Sequence, residues 1–177
     1  MKEAINYQAP KNLLKDKIIL ISGGSSGIGR QAGLSFASFG AEVILLGRNK
    51  SNLEETYNLF EKKRLKKPLL QVINLETANE KDYIKISEEI INEFGRLDGL
   101  LNNAGILGTK TSIQNYNFDE WRRVSKINFE SALLLTKSLL PALQIPTSSS
   151  IIFTSSGVGK KGRAYWGAYA ISKFATE

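Results

Sequence analysis

Cysteine and histidine are both absent from this chain of 177 residues, and each absence excludes a class of chemistry. Without cysteine there can be no disulfide, no thiolate nucleophile and no thiolate-bound metal. Without histidine, neither a serine–histidine triad nor an imidazole-bound zinc site can form. Any acid–base chemistry must therefore use tyrosine, lysine, aspartate or glutamate.

Long hydrophobic runs are lacking as well. Residues 1–17 contain no continuous apolar stretch of the kind found in signal peptides, and no segment is long enough to span a bilayer. An apolar content of 42% is enough to build one sizeable core. We therefore expect a cytoplasmic protein with no membrane association. Residues 1–177 should form a single domain, with residues 1–16 as an N-terminal extension.

Acidic residues are outnumbered, so the chain has a formal net charge of +7. The densest basic run covers residues 62–67 and lies at the end of a predicted helix, where cations interact favourably with the helix dipole. No aromatic residue that could stack on a base interleaves with the run. We interpret the run as a solvated helix end and expect no nucleic-acid partner. The alternative, a basic nucleic-acid-associated protein, would bind DNA or RNA in a salt-sensitive manner through this run.

Apolar runs of strand length alternate with segments of helical periodicity. Strands are predicted at residues 17–22, 42–46, 69–73, 99–102 and 150–154. Helices are predicted at residues 28–39, from 51, at 80–94, at 117–143 and from near 165. Gly40 and Gly95 are predicted to end helices, Ser51 with Glu54 to form a capping box, and Asn117 to cap the long helix.

Continuously apolar strands joined by helices predict a parallel sheet covered on both faces. The expected fold class is α/β, a doubly wound, three-layer Rossmann-type sheet. In such folds the ligand lies at the carboxyl ends of the strands, where the strand order reverses.

A glycine-rich turn joins the first predicted strand to the first predicted helix. Backbone N–H groups and the helix dipole would converge there, which suits a pyrophosphate. Gly23 and Gly27 would permit backbone angles that side chains forbid, and Gly29 would let helix and strand approach closely. The candidate cofactor-binding residues of this turn are Gly23, Ser25, Ser26, Gly27, Ile28 and Gly29.

The ordered set of motifs resembles the short-chain dehydrogenase/reductase family from about Lys17 to the last residue. The motifs are the glycine spacing of the turn, the segment 102–105 (Asn-Asn-Ala-Gly), Asn128, Ser156, and Tyr169 with Lys173. Tyr7 and Lys11 have the same four-residue spacing, but they lie in the polar N-terminal segment and are not expected to take part.

Tyr169 and Lys173 are four residues apart and would share one helix face. An ammonium about 4 Å from a phenol, at an effective dielectric constant near 20, favours the phenolate by roughly 4 kcal/mol. Such a phenol can act as a general acid or base near neutral pH. The resemblance implies the same role for Tyr169 and a bond from Lys173 to the nicotinamide ribose.

The resemblance assigns two further catalytic residues. Ser156 would donate a hydrogen bond to the substrate carbonyl; the adjacent Ser155 is a competitor, and the family spacing to the tyrosine favours Ser156. Asn128 would hold a water molecule that relays protons. The less specific alternative for each is a turn serine and a surface helix residue.

Cofactor choice is predicted from the residues that follow the second strand. Family members that prefer NAD carry an acidic residue there, whereas this chain has Gly47 followed by Arg48 and Asn49. Because a guanidinium can bind the 2′-phosphate, we expect NADP, with NAD less favoured. Asn74 and Leu75 are predicted to contact adenine, and Asn102, Ala104 and Gly105 the adenosine half, although Asn102 could equally serve only to tie strands together.

Family members typically continue through a sixth and a seventh strand. We therefore expect a sheet truncated after the fifth strand and the start of the next helix, with the fifth strand as an open edge. The predicted function is hydride transfer between a nicotinamide and a small-molecule carbonyl or secondary alcohol. The alternative is a catalytically silent nucleotide-binding or interaction module. The resemblance also implies homo-oligomerisation through the long helix and the catalytic helix.

Overall fold

Five parallel strands alternate with helices in the computed structural model, which describes residues 7–177. The strands are β1 (Ile18–Ser22), β2 (Glu42–Gly47), β3 (Leu69–Val72), β4 (Gly99–Asn102) and β5 (Ser150–Phe153). The helices are α1 (Gly27–Ser38), α2 (Lys50–Lys62), α3 (Glu80–Phe94), α4 (Phe118–Ser125), α5 (Ser131–Leu143) and α6 (Gly167–Thr176). A π-helical turn, Lys126–Glu130, joins α4 to α5, and short 3-10 turns occupy Ile113–Asn115 and Gly157–Gly159.

The strand order is β3-β2-β1-β4-β5, so the chain builds outward from β1 in one direction and then in the other. Leu20 of β1 pairs with Ile44 on one side and with Leu100 on the other. The order therefore reverses between β1 and β4, and a crevice opens at their carboxyl ends. The predicted doubly wound α/β fold is confirmed.

Alternate residues of each strand face opposite sides of the sheet, and each side has its own core. One core packs strand residues such as Leu20 and Ile44 against Tyr83 of α3 and Leu139 of α5. The other packs residues such as Ile21, Val43 and Leu45 against the residues of α1 and α2 that face the sheet, namely Leu34, Ala37, Leu53 and Phe60. The sheet is therefore the middle of three layers, with a core and a layer of helices on each side.

Several helix ends form as predicted. Gly95 takes a left-handed conformation at φ 73° and ends α3, and Asn117 caps α4 by accepting from the N–H groups of Asp119 and Glu120. The predicted capping box at Ser51 and Glu54 is wrong. The cap of α2 is Asn49, whose Oδ1 accepts from Asn52 N at 3.1 Å, so the helix starts one residue before Ser51.

The long helix predicted for residues 117–143 is present, and it contains a π-helical turn that the sequence did not indicate. The π-helical turn places one residue more per turn than an α-helix and buries Ile127 and Asn128. The residues at both ends of the turn keep right-handed helical dihedral angles, so α4, the π-helical turn and α5 form one continuous helical segment. The last helix starts at Gly167, slightly later than predicted.

The amino end of the sheet is held together by an ion-pair cluster around Asp98. The buried carboxylate of Asp98 accepts from Lys17 Nζ at 2.9 Å, Ile18 N at 3.1 Å and Arg96 Nε at 3.1 Å. Burial by itself would raise the pKa of Asp98, but hydrogen bonds from Lys17 and Ile18 and the charges of Lys17 and Arg96 hold it below its ordinary value. The cluster ties the first residues of β1 to the segment that precedes β4.

The basic run 62–67 follows the end of α2. Lys66 pairs with Glu42, and Lys67 Nζ lies 2.9 Å from Glu61 Oε1. These two lysines therefore have carboxylate partners within the fold, as expected for a structural helix end.

Within residues 7–177, no helix is both long enough and apolar enough to cross a lipid bilayer. Among the same residues β5 pairs with β4 alone, and Ile151, Ile152 and Phe153 are exposed.

Candidate active site

The glycine turn has the close packing that its sequence predicts. A Cβ added at Gly29 would lie 2.2 Å from Gly23 O, so no side chain fits where α1 crosses the end of β1. Gly23 and Gly27 have φ values of 70° and 51°, which other residues rarely adopt. Space is open around Gly27, so its conformation, rather than crowding, requires glycine.

The N-terminus of α1 has backbone donors to offer a ligand. Ser26 is the N-cap residue, yet its side chain caps none of the N–H groups of the first turn within the described chain. Uncapped N–H groups at a helix start, together with the dipole, bind anions such as phosphate. The turn therefore fits the pyrophosphate of a dinucleotide.

A cleft of about 410 Å³ opens above this turn, and we call it the dinucleotide cleft. Its lining includes most of the predicted cofactor residues, namely Gly23, Ser25, Ser26, Gly27, Ile28, Arg48, Asn49, Asn74, Leu75, Ala104 and Gly105. Gly29 lies beneath the turn and does not line the cleft. Residues from the ends of β1, β2, β3 and β4 thus meet at one edge of the sheet.

Asn102, which was predicted to bind cofactor, is not in the lining of this cleft. Its side chain is buried, and its Nδ2 donates to Thr136 Oγ1 of α5 at 3.0 Å. The next residue, Asn103, has the strand-tying role. Its backbone N donates to Ser22 Oγ at 3.0 Å, and its Oδ1 accepts from Thr154 Oγ1 at 3.3 Å, which links the ends of β1, β4 and β5.

Arg48 lies at the rim of the dinucleotide cleft as predicted, and it faces an acidic residue there. Its Nη1 is 3.9 Å from Glu76 Oε2, and Arg123 Nε of α4 donates to the same oxygen at 3.1 Å. The Arg48 side chain is 59% exposed, so its guanidinium remains accessible to a phosphate.

Tyr169 and Lys173 share one face of α6, with Lys173 Nζ 5.7 Å from the centre of the Tyr169 ring. Lys173 is buried, and its Nζ donates to Thr154 O at 2.6 Å. Burial lowers the pKa of the Lys173 ammonium below its ordinary value. The pair is therefore neither exposed nor remote from the strand ends.

Asn128 is buried rather than at the surface. Its Oδ1 accepts from Ile106 N at 2.8 Å, and its Nδ2 donates to Ile106 O at 3.0 Å and to Ser172 Oγ at 2.9 Å. The π-helical turn thus bonds both to the segment after β4 and to α6. This bonding holds α6 against the segment that follows β4 at the rim of the dinucleotide cleft.

Gly105 joins these two groups of residues. It lines the dinucleotide cleft, and a Cβ added there would lie 3.5 Å from Asn128 Oδ1 and 3.9 Å from Lys173 Nζ. The buried amine of Lys173 therefore lies just behind the wall of the dinucleotide cleft.

The two adjacent serines differ in environment. Ser156 begins the turn Gly157–Gly159, and its Oγ accepts only a long bond from Val158 N at 3.5 Å. It borders a second cleft of about 390 Å³. The Oγ of Ser155 is buried without a partner in the described chain. Ser156 is therefore the serine that can reach a ligand.

Comparison with known proteins gives a family. Residues 17–177 match the short chain dehydrogenase family. The chain belongs to this family. It is 41% identical over 173 residues to the uncharacterized oxidoreductase YciK of Escherichia coli. The alignment covers 98% of this chain and 69% of YciK. The predicted identification as an NAD(P)-dependent short-chain dehydrogenase/reductase is confirmed.

Solved structures agree with the fold. A short chain dehydrogenase from Pseudomonas syringae superposes with a TM-score of 0.93 at 42% identity, covering 97% of this chain and 69% of that one. A short chain dehydrogenase from Escherichia coli CFT073 complexed with NADPH superposes with a TM-score of 0.91 at 41% identity, covering 95% of this chain and 70% of that one. Several other curated relatives are matched over about half their length, 52%.

Some residues of the site were missed by sequence reasoning. Asn103 and Glu76 directly follow Asn102 and Leu75, and position after a strand could have drawn attention to both. Asn52, Ile106 and Ile127 also line the dinucleotide cleft. Ile106 and Ile127 are sequence neighbours of the predicted site residues Gly105 and Asn128, and Asn52 lies three residues after Asn49, so closeness to these residues was the available signal.

Proposed function

We propose that this protein is an NADP-dependent oxidoreductase that interconverts a small carbonyl compound and the corresponding secondary alcohol. The observation that carries the proposal is the position of Gly105, which lines the dinucleotide cleft and lies next to the buried amine of Lys173. This position supports a nucleotide site that lies next to a proton-transfer site. The NADPH complex of the similar Escherichia coli CFT073 protein supports the choice of cofactor.

The dinucleotide would be held mainly by backbone. The uncapped first turn of α1 would bind the pyrophosphate, and the glycines of the turn allow close approach. Arg48 would bind the 2′-phosphate of NADP, with Asn74 and Leu75 beside the adenine. When bound, the nicotinamide supplies or accepts the hydride.

The chain's own residues would manage the proton and orient the substrate. Ser156 Oγ would donate a hydrogen bond to the substrate carbonyl, and the Tyr169 hydroxyl would give its proton to the forming alkoxide. The positive charge of Lys173 stabilises the phenolate that remains. Asn128 keeps α6 in place through Ser172 and would hold the relay water expected from the family.

The test is a matched pair of measurements on purified chain. We expect Tyr169→Phe to bind NADPH with unchanged affinity, measured by the fluorescence of the bound nicotinamide, because the ring remains. Carbonyl-dependent NADPH oxidation should fall by about a thousandfold, since the proton donor is lost.

Tyr165→Phe is the control, because it removes a hydroxyl from an exposed tyrosine that precedes α6 and should leave the rate unchanged. NADPH binding without turnover in the unaltered chain would point instead to a silent nucleotide-binding module. No NADPH binding at all would overturn the proposal.

We also propose that residues 1–177 form one dinucleotide-binding domain that self-associates. Large apolar side chains are exposed on the two helices named for this role, Leu133 and Leu140 on α5 and Ile171 and Phe174 on α6. Exposed apolar side chains of this kind are typical of an interface between copies of a protein. Replacing Leu133 with Glu should lower the mass measured by sedimentation, whereas the exposed Ile84→Glu on α3 should not.

A further inference from the structure

The second cleft differs from the dinucleotide cleft in its chemistry. It is lined by Ser156, Lys161, Arg163 and Trp166, together with small residues of the same loop, and it shares no lining residue with the dinucleotide cleft. An anion bound there would therefore be separate from the phosphates of a cofactor. Ser156 places the second cleft on the substrate side of the site.

The charge of this cleft is positive and is not neutralised by the chain. No aspartate or glutamate occurs between Glu130 and Glu177. In the part of the chain that the structure describes, no carboxylate lies within ion-pair distance of Lys110, Lys161 or Arg163. By contrast, Arg48 at the rim of the dinucleotide cleft is close to Glu76.

Two of these cations, Lys110 and Arg163, lie near the ring of Trp166. Lys110 Nζ lies 4.4 Å from the centre of that ring, and the Arg163 guanidinium carbon lies 5.7 Å from it. The two cations come from segments that are held together by the bond from Thr111 N to Tyr165 O at 3.2 Å. Because its position over an aromatic ring limits its motion, Arg163 loses less side-chain entropy when it binds an anion in the second cleft.

The cluster is also close to the proposed chemistry. The rings of Trp166 and Tyr169 are 5.8 Å apart between centres, and Ser156 borders the cleft directly. A ligand whose carbonyl is bound by Ser156 and Tyr169 would extend its remaining part over Trp166 toward Lys161 and Arg163.

We propose that the carbonyl substrate carries an anionic group, a carboxylate or a phosphate, which Lys161 and Arg163 bind in the second cleft. This inference rests on the proposed function, because the proposed substrate carbonyl site sets its geometry. Charge-assisted hydrogen bonds from two cations discriminate against a neutral analogue of the same shape.

The test is calorimetric titration of the NADPH-loaded chain with three alcohols that NADPH cannot reduce further. They are para-(hydroxymethyl)benzoate, its methyl ester and para-(hydroxymethyl)phenyl phosphate. We expect the anions to bind at least about tenfold more tightly than the ester, as two charge-assisted contacts imply. The tighter of the two anions identifies whether carboxylate or phosphate is the natural group.

The matched variants are Lys161→Gln/Arg163→Gln and, as control, Lys62→Gln/Lys63→Gln, which removes the same charge at the exposed end of α2. The Lys161→Gln/Arg163→Gln variant should bind the anions and the ester about equally tightly. The Lys62→Gln/Lys63→Gln variant should keep the preference for the anions. Equal binding of ester and anions by the unaltered chain, or an anion preference that survives in the first variant, would overturn the inference. If NADPH itself does not bind, the proposed function fails, and the same titrations on the chain alone still test the second cleft.

Discussion

The two ends of the sheet differ in whether their charged side chains have partners of opposite charge. At the amino end, the buried carboxylate of Asp98 is met by Lys17, Arg96 and a backbone N–H, so its charge is fully compensated. At the carboxyl end, Lys173 is buried with a backbone carbonyl as its partner, and Lys161 and Arg163 have no carboxylate beside them in the described chain.

This difference separates holding the fold from binding a ligand. A buried charge with oppositely charged partners joins segments and stabilises the folded state. A charge without such partners remains available to interact with a ligand. Five tests probe this contrast; the first is expected to have the largest effect on stability and the last the smallest.

Gly29→Ala should disrupt the carboxyl end most strongly. Its methyl group would lie 2.2 Å from Gly23 O, so the turn must move, and we expect a loss of about 3 kcal/mol in the free energy of unfolding, together with loss of NADPH binding. Urea unfolding and nicotinamide fluorescence would measure the two effects.

The matched pair Gly27→Ala and Gly95→Ala separates strain from function. Both glycines have positive φ with open space around them, so each variant should cost about 1 kcal/mol. Only Gly27→Ala should also weaken NADPH binding, since only Gly27 lines the dinucleotide cleft. Equal binding by these two variants would contradict the assignment of the turn.

Asp98→Asn should lower the free energy of unfolding by about 2 kcal/mol at neutral pH, because hydrogen bonds to a charged group are lost. The folded-state pKa of Asp98 lies below its ordinary value, so its contribution is present above that value and disappears as pH falls through the folded pKa. The difference between Asp98→Asn and the parent should therefore shrink in acid. NADPH affinity should not change, since the cluster is at the opposite end of the sheet.

Arg48→Gln should weaken NADPH binding by about tenfold while NADH binding stays the same, because only the 2′-phosphate contact is removed. Lys50→Gln is the nearby control; this lysine pairs with Glu54 at 3.7 Å and does not line the cleft. Parallel loss of both cofactors in Arg48→Gln would show that the guanidinium does not read the phosphate.

Lys173→Met should have the smallest effect on stability, and that effect should depend on pH. Burial places the folded-state pKa of Lys173 below its ordinary value, so between the two values only the unfolded chain binds the proton. The parent should therefore gain stability relative to Lys173→Met as pH rises toward about 10, the range of an ordinary lysine. Thermal unfolding of both chains across this range would measure the gain, and a flat difference would contradict it.

Local patterns carried much of the prediction. Gly95 and Asn117 end and begin helices as their sequence positions indicate, and the glycine turn lies between β1 and α1. Each depends on the conformational preference of one residue or of a few neighbours, so no knowledge of distant contacts is needed.

Other features depended on partners far along the chain. The π-helical turn inside the long helix places Asn128 where it bonds to Ile106 and to Ser172. The Asn102 side chain donates a hydrogen bond to Thr136 of α5, and Asn103 links the end of β4 to Ser22 of β1. Hydrophobic periodicity cannot predict these side-chain hydrogen bonds, because the partners come together only after the layers have packed.

The amino-acid sequence alone determined the alternation of strand and helix and the phosphate-binding turn, because these follow from periodicity and from the backbone freedom of glycine. The resemblance of its ordered motifs indicated the family. Tertiary structure alone decided that Gly105 lies against Lys173 and that Lys110 and Arg163 meet on Trp166. Residues from separate segments acquire a common environment only when the sheet orders its strands and the helices cover it.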